Sequence, residues 1–147
     1  MSVNEPDTQS ELTQDDFESL ARFRFAIRQY LTFAEQGAKA IGLTSQQHQA
    51  LLAIKAQSFS GVMTVGELAK RLLLRPHSTA ELINRLAAAD LISRDAATHD
   101  RRMVNLQLTA KGETILAKLS DRNLRELRTV APAFENLLDR LTDLVQP

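Results

Sequence analysis

The sequence contains no cysteine among its 147 residues. This absence excludes disulfide bonds, thiolate metal sites and thiol-based redox sensing. The sequence also lacks an apolar run of membrane-spanning length, and its N-terminus does not have the basic and then apolar segments of a secretion signal. We therefore expect a cytoplasmic protein that does not enter a membrane.

Signatures of catalysis are missing too. The three histidines, His48, His77 and His99, lie on three different predicted elements, and neither an HExxH motif nor a glycine-rich phosphate loop occurs. An enzyme would need a nucleophile with a base, paired carboxylates in a cleft, or a metal cluster. We therefore predict that the protein is not an enzyme and uses no cofactor or metal.

The formal net charge is zero, which argues against a strongly basic, non-specific DNA-binding protein. The charges are distributed unevenly, however. Residues 1–20 carry six acidic and no basic side chains, whereas residues 61–118 carry nine basic and six acidic ones. The neutral total therefore hides a basic module at residues 61–118.

That basic module begins with two short helices. Thr64 and Glu67 stand in the capping-box relation that opens a helix. Pro76 lacks a backbone N–H and has a fixed φ, which suits the first position of a second helix. Residues at helical spacing form the face of this helix that we expect to be buried, which comprises Thr79, Leu82, Ile83, Leu86 and Ala89. This order predicts a helix-turn-helix.

The opposite face of the second helix is short-chained and polar, and it comprises His77, Ser78, Glu81, Arg85 and Ala88. Small polar and arginine side chains at the start of a helix can approach base edges and phosphates closely. Taken alone, this composition is equally consistent with a face that is merely solvated.

A β-hairpin follows the two helices. Asp90 stands where the chain needs a left-handed residue, residues 91–94 read as a short strand, and residues 104–108 alternate strictly as a half-buried strand does. Arg101 and Arg102 at the hairpin tip would have few internal partners but are well placed for a narrow minor groove, and Asp100 could hold one guanidinium. A solvated turn is the alternative for a basic tip alone. Its position directly after a helix-turn-helix favours groove contact.

These segments resemble the MarR (multiple antibiotic resistance regulator) family of winged helix-turn-helix transcriptional regulators. The likeness is carried by GLTSQQHQALLAIK at 42–55, ELAKRLLLRPHSTAELINRLAAADLISR at 67–94 and DRRMVNLQLTAKG at 100–112. Two residues depart from the pattern: Asp90 stands where Gly is usual, and Asn84 where Asp is common. The resemblance implies a mainly α (α+β) fold, in which a winged helix-turn-helix at about 43–108 lies between dimerisation helices at about 15–41 and 109–146.

The resemblance also implies a DNA-binding surface. His77 and Ser78 would lie near bases in the major groove, Arg101 would reach the minor groove, and arginines beside them would lie near phosphates. Glu81 could accept a hydrogen bond from a cytosine amino group or hold Arg85 at i,i+4 spacing. The complete set is Arg75, His77, Ser78, Glu81, Arg85, Arg101 and Arg102.

An effector pocket is a further implication of the resemblance. Effectors of the family bind between the dimerisation helices and the winged helix, so Tyr30, Phe33 and His48 are candidates to line such a pocket, and a small aromatic or hydrophobic molecule is the expected ligand. A lone histidine on a helix is, however, far more often a structural residue.

The flanking regions complete the predicted organisation. Residues 1–12 are polar and aperiodic and are expected to form a mobile acidic tail, and residues 13–147 to form one domain. The helix from Asp15 or Asp16 to about Ala40 has two apolar stripes, which suggests burial against its own domain and against a second subunit. Thr44 and Gln47 open a helix to about Ala56.

The C-terminal part is predicted to contain two more helices. Thr109 is expected to cap a helix that runs to about Val130, and Pro132 is expected to start a last helix. The residues expected to face inward on these elements include Leu51, Leu52, Ile54, Ile115, Leu116, Leu119, Leu127, Val130, Phe134, Leu137, Leu138, Leu141 and Leu144.

We therefore predict a sequence-specific regulator that binds double-stranded DNA as a homodimer. A pseudo-palindromic operator follows from twofold symmetry, and a ligand-responsive repressor is the expected mode of action. The alternative is a winged-helix module that binds another protein and not DNA.

Overall fold

The structure is a computed structural model that describes residues 11–61, 63–96 and 104–145. Five helices and a two-stranded antiparallel sheet occupy these ranges, so the predicted mainly α (α+β) fold class is confirmed. The elements are α1 (Gln14–Ala40), α2 (Ser45–Gln57), α3 (Val65–Leu72), α4 (Pro76–Ala88), β1 (Ile92–Ala96), β2 (Val104–Leu108) and α5 (Ala110–Val145).

Capping boxes begin the first three helices. The predicted boxes at Thr44 and Thr64 are confirmed, since each hydroxyl accepts a hydrogen bond from the backbone N–H three residues on, at 3.1 Å. A third box at the start of α1 escaped prediction: the Thr13 backbone N–H donates to the carboxylate of Asp16 at 2.8 Å. Asp16 replaces the usual Glu or Gln of this motif, which is why the pattern is less visible in the sequence.

Helices α1 and α5 pack side by side along a seam near the two ends of the chain. The Ser19 hydroxyl donates to Asn136 at 3.0 Å, and the rings of Phe23 and Phe134 meet edge to face with centroids 5.1 Å apart. An ion pair between Arg140 on α5 and Asp16 on α1, at 2.6 Å, also joins the two helices. Hydrogen bonds from Thr13 and Arg140 lower the pKa of Asp16 to about 2, so this carboxylate stays charged at neutral pH.

The predicted break at Pro132 is wrong, because α5 continues through it to Val145. A proline inside a helix removes one backbone hydrogen bond and favours a kink. The seam with α1 opposes a break here, since Phe134, Asn136 and Arg140 all contact α1 beyond the proline. The predicted start of this helix is confirmed: the Thr109 hydroxyl accepts from the Gly112 backbone N–H at 3.0 Å.

Several residues expected inward are instead exposed, namely Leu52, Ala89, Leu138 and Leu141. Leu52 lies on the outer side of α2, next to the buried Leu51, and Ala89 has become the C-cap of α4. On α5, Leu138 is 61% exposed and Leu141 is 46% exposed. The side chain of Leu144 lies outside the described residues.

The core lies under the helix-turn-helix and the wing. Its fully buried side chains come from every element between α2 and β1, including Leu51, Ile54, Met63, Leu68, Leu86 and Leu91. Met63 is therefore a core residue, and it lies outside the two strands of the wing sheet. None of the helices in the described ranges has the length and hydropathy required to cross a membrane.

Candidate nucleic-acid interface

The turn between α3 and α4 sets the direction in which α4 projects. Leu73 caps the C-terminus of α3 in the left-handed conformation, with φ 56°. The Leu74 backbone N–H then donates to the Ala69 carbonyl at 2.9 Å and closes the turn. Pro76 then occupies the first turn of α4, as predicted. The left-handed leucine had no signal in the sequence, because leucine rarely adopts this conformation.

Helix α4 has a buried face and an exposed face, as the periodicity predicted. Thr79, Leu82, Ile83 and Leu86 are buried, and the Thr79 hydroxyl donates to the Arg75 carbonyl at 3.0 Å. The exposed face brings together five of the seven predicted DNA-binding residues: Arg75, His77, Ser78, Glu81 and Arg85. The other two, Arg101 and Arg102, lie outside the described residues, as do Asp100 and His99.

Glu81 forms an i,i+4 pair on this face. Its Oε1 atom lies 3.5 Å from Nε2 of His77, and both side chains are largely exposed. Glu81 therefore pairs with His77, one helical turn before it. Arg85, which the sequence offered as a partner, lies one turn after Glu81. Because both groups are solvated, they remain accessible to a ligand at the start of α4.

A polar groove of about 490 Å³ separates the exposed face of α4 from the start of α2. Ser78, Glu81 and Arg85 line one side, and Ser45 and Gln46 line the other. The two α2 residues were not among the predicted site residues. Their only sequence signal is a polar run after Thr44, which also has a local explanation in helix capping.

The base of the wing lies between the end of α4 and the start of α5, which are joined to each other by hydrogen bonds. Asp90 ends α4 with φ 59°, as predicted, and its carbonyl accepts from the Thr109 hydroxyl at 2.6 Å. The Lys111 ammonium donates to the Ala89 carbonyl at 3.1 Å. Strands β1 and β2 pair from Ile92 with Leu108 to Ala96 with Val104, so the hairpin points away from the α5 junction.

Gly112 makes this junction possible. A Cβ atom at this position would lie only 2.1 Å from the backbone carbonyl oxygen of Leu91, at the start of the wing. Glycine therefore permits the first turn of α5 to lie directly against the wing.

The three effector-pocket candidates lie in two different environments. Tyr30 and Phe33 are half-buried on α1, and the guanidinium of Arg122 on α5 stacks 3.6 Å from the centroid of the Phe33 ring. His48 is buried on α2, and its Nε2 atom makes no hydrogen bond within the described part of the chain. Burial lowers the pKa of His48, which favours the neutral form of the ring.

In the described ranges, histidine, aspartate and glutamate side chains do not gather in groups of three or more that could hold a metal ion.

Residues 41–103 match the model of the MarR family. The chain is 32% identical over 74 residues to the HTH-type transcriptional regulator YsmB of Bacillus subtilis, covering 50% of this chain and 51% of that protein. It is 33% identical over 72 residues to the HTH-type transcriptional repressor MdtR of the same organism, covering 49% of this chain and 44% of that protein. The matched part is thus about half the length of these curated relatives.

Solved structures with a similar fold cover most of the chain. The regulator MepR of Staphylococcus aureus matches with a TM-score of 0.69 and 20% identity, over 91% of this chain and 97% of that one. AbsC of Streptomyces coelicolor, a MarR family transcriptional regulator, matches with a TM-score of 0.66 and 23% identity, over 91% and 89%. The MepR–DNA complex of Staphylococcus aureus matches with a TM-score of 0.61 and 22% identity, over 84% and 94%.

The predicted winged helix-turn-helix with flanking N- and C-terminal helices is thereby confirmed as the fold. The resemblance to the MarR family is confirmed as well: residues 41–103 match the family itself, and the helices around them complete the fold of its members.

Proposed function

We propose that the protein is a transcriptional regulator, and not an enzyme, that binds double-stranded DNA in a sequence-specific manner in the cytoplasm. The observation that carries this proposal is the exposed polar face of α4, which stands beside the base of the wing with five predicted contact residues on it. The solved MepR–DNA complex supports it, since a protein of this fold is seen there with DNA.

In this proposal α4 enters the major groove. His77 and Ser78, in its first turn, approach base edges, and Arg75 and Arg85 contact phosphates on either side. Arg101 and Arg102 reach the minor groove from the wing. Glu81, one turn after His77 on the same face, accepts a hydrogen bond from a cytosine amino group.

A homodimer is the second part of the proposal. Helix α1 turns a row of apolar side chains to solvent, with Phe17, Leu20 and Leu31 each at least half exposed, and α5 does the same with Leu124 and Leu138. Exposed apolar area of this kind on two long helices is typical of a subunit interface. We propose accordingly that residues 13–147 form one domain that dimerises through α1 and α5, with residues 1–12 as an acidic tail outside it.

A ligand-responsive repressor is the third part. A small aromatic or hydrophobic molecule that binds near Tyr30, Phe33 or His48 would act between the terminal helices and the winged helix, and so change the spacing of the two α4 helices. A tenfold loss of DNA affinity needs only about 1.4 kcal/mol of differential binding. A thermal-shift screen with aromatic acids and hydrophobic drugs tests this part. If a broad screen found no compound that stabilises the protein, that result would count against a ligand-responsive repressor.

The test of DNA binding is its dependence on salt. We expect the logarithm of duplex affinity to fall linearly with the logarithm of salt concentration, because each phosphate contact releases counterions. Arg75→Ala and Arg85→Ala should each reduce the slope by about 0.9 per bound copy. Arg125→Ala is the control, since this arginine lies on α5 in an i,i+4 pair with Asp121 at 3.0 Å.

Changes at His77 or Ser78 should instead alter the preference at one base pair by about 1 to 3 kcal/mol. If the protein bound no duplex even at low ionic strength, the winged helix would be an interaction module for another protein. If Arg75→Ala and Arg85→Ala behaved like Arg125→Ala, α4 would not be the DNA-binding helix.

A further inference from the structure

Arg94 reaches from the wing to the exposed face of α4. It lies on β1 and points to the same side of the sheet as Ile92, which is buried against the core. Its NH1 group donates a hydrogen bond to Oδ1 of Asn84 at 2.6 Å. The wing and the recognition helix are therefore joined by a side-chain contact that involves neither Arg101 nor Arg102.

Asn84 lies at one edge of the face that we propose to contact DNA, next to His77 and away from Ser78 and Arg85. It follows His77 by seven residues, which is two helical turns, and follows Glu81 by three. Both Asn84 and Arg94 are exposed. The Arg94 guanidinium is consequently held at the surface that faces the duplex, in the angle between α4 and the wing.

The hydrogen bond to Asn84 does not neutralise the charge of Arg94. Asn84 supplies a neutral carbonyl oxygen, and a guanidinium has five N–H donors, of which this contact uses one. Among the described residues no carboxylate lies within ion-pair distance of Arg94. An aspartate at position 84 would instead form a salt bridge and neutralise the charge locally.

We propose that Arg94 is a phosphate contact at the base of the wing and that Asn84 is its positioning residue. This inference rests on the proposed function, because it requires that α4 and the wing dock on DNA. The guanidinium group is a planar fork of N–H donors that matches the geometry of a phosphate group. Prior orientation by Asn84 lowers the entropy that the side chain loses when it binds.

The alternative is that Arg94 only braces the wing against α4. The two roles differ in what Asn84→Ala does, because this variant breaks the hydrogen bond and keeps the charge. Arg94→Gln removes the charge and keeps a polar side chain. If Arg94 only braces the wing, Arg94→Gln and Asn84→Ala lose the same contact and should weaken DNA binding equally.

The experiment measures duplex affinity at 50 to 200 mM salt for wild type, Arg94→Gln, Asn84→Ala and the control Arg125→Gln, on a preferred duplex and on a scrambled one. We expect Arg94→Gln to reduce the slope of log affinity against log salt by about 0.9 per bound copy. Its loss of duplex affinity relative to wild type should therefore shrink about threefold per bound copy between 50 and 200 mM salt. The loss of affinity in Arg94→Gln should be the same on the preferred and the scrambled duplex. Asn84→Ala should weaken binding less and keep the wild-type slope.

Thermal unfolding of each variant shows whether the fold is retained. An unchanged slope in Arg94→Gln, or equal losses in Arg94→Gln and Asn84→Ala, would overturn the assignment. If wild type itself bound no duplex, the proposed function would have failed, and this outcome is distinct from a failure of Arg94 alone.

Discussion

Replacing Leu20 with Glu should convert the protein into folded monomers that bind DNA at least a hundredfold more weakly. Leu20 is 50% exposed on α1 in the single protomer, so the change adds no buried charge to the isolated fold. In the proposed dimer it would place an unpaired carboxylate in an apolar interface twice, once for each subunit. A hundredfold loss corresponds to only about 2.7 kcal/mol, which one such buried charge exceeds.

Leu52→Glu is the matched control for this experiment. Leu52 is 49% exposed, almost the same as Leu20, but it lies on α2 and not on a terminal helix. Sedimentation equilibrium gives the subunit count, and titration of a duplex gives the affinity. A Leu20→Glu protein that remains dimeric, or a control that dissociates to the same extent, would show that α1 does not hold the subunits together through this stripe.

Gly112→Ala should destabilise the fold by about 3 kcal/mol, near the upper end of the range for overpacking. The new methyl group would lie 2.1 Å from the Leu91 carbonyl oxygen, and a backbone atom cannot rotate away as a flexible side chain can. Relief therefore requires α5 to shift from the wing. We expect urea unfolding to show a lower midpoint with an unchanged m-value.

Gly66→Ala provides the comparison, because the nearest atom to its added Cβ is the Thr64 hydroxyl oxygen at 4.0 Å. Alanine favours a helix over glycine by up to about 1 kcal/mol, so this variant should be as stable as wild type or slightly more stable. Equal effects of the two substitutions would mean that the contact between α5 and the wing does not constrain the fold.

The sequence predicted best those features that depend on neighbouring residues. The capping boxes at Thr44 and Thr64, the start of α4 at Pro76 and the left-handed Asp90 each require only three or four residues in a row, and each is confirmed. The alternation in β2 and the buried face of α4 are local periodic patterns of the same kind.

Features that depend on distant residues were predicted less well. Pro132 suggested a break, but contacts to α1 more than a hundred residues earlier keep α5 continuous. Leu52 was expected inward together with Leu51 and Ile54, whereas only Leu51 and Ile54 are buried. Leu138 was expected inward as well and is exposed.

The candidate site shows the same division. The residues of α4 could be assigned to its exposed face from periodicity alone, since a helix has a fixed number of residues per turn. The contact between Arg94 and Asn84 joins a strand to a helix and left no pattern in the sequence. The groove between α4 and the start of α2 likewise depends on how two helices cross.

Selection of bound duplexes from a random pool, followed by sequencing, tests most directly whether two copies of α4 and the wing read DNA together. We expect a pseudo-palindromic motif whose half-sites are centred about one helical turn apart, roughly 10 bp. A pool with no enriched sequence, or a motif with a single unpaired half-site, would contradict recognition by a twofold-symmetric dimer.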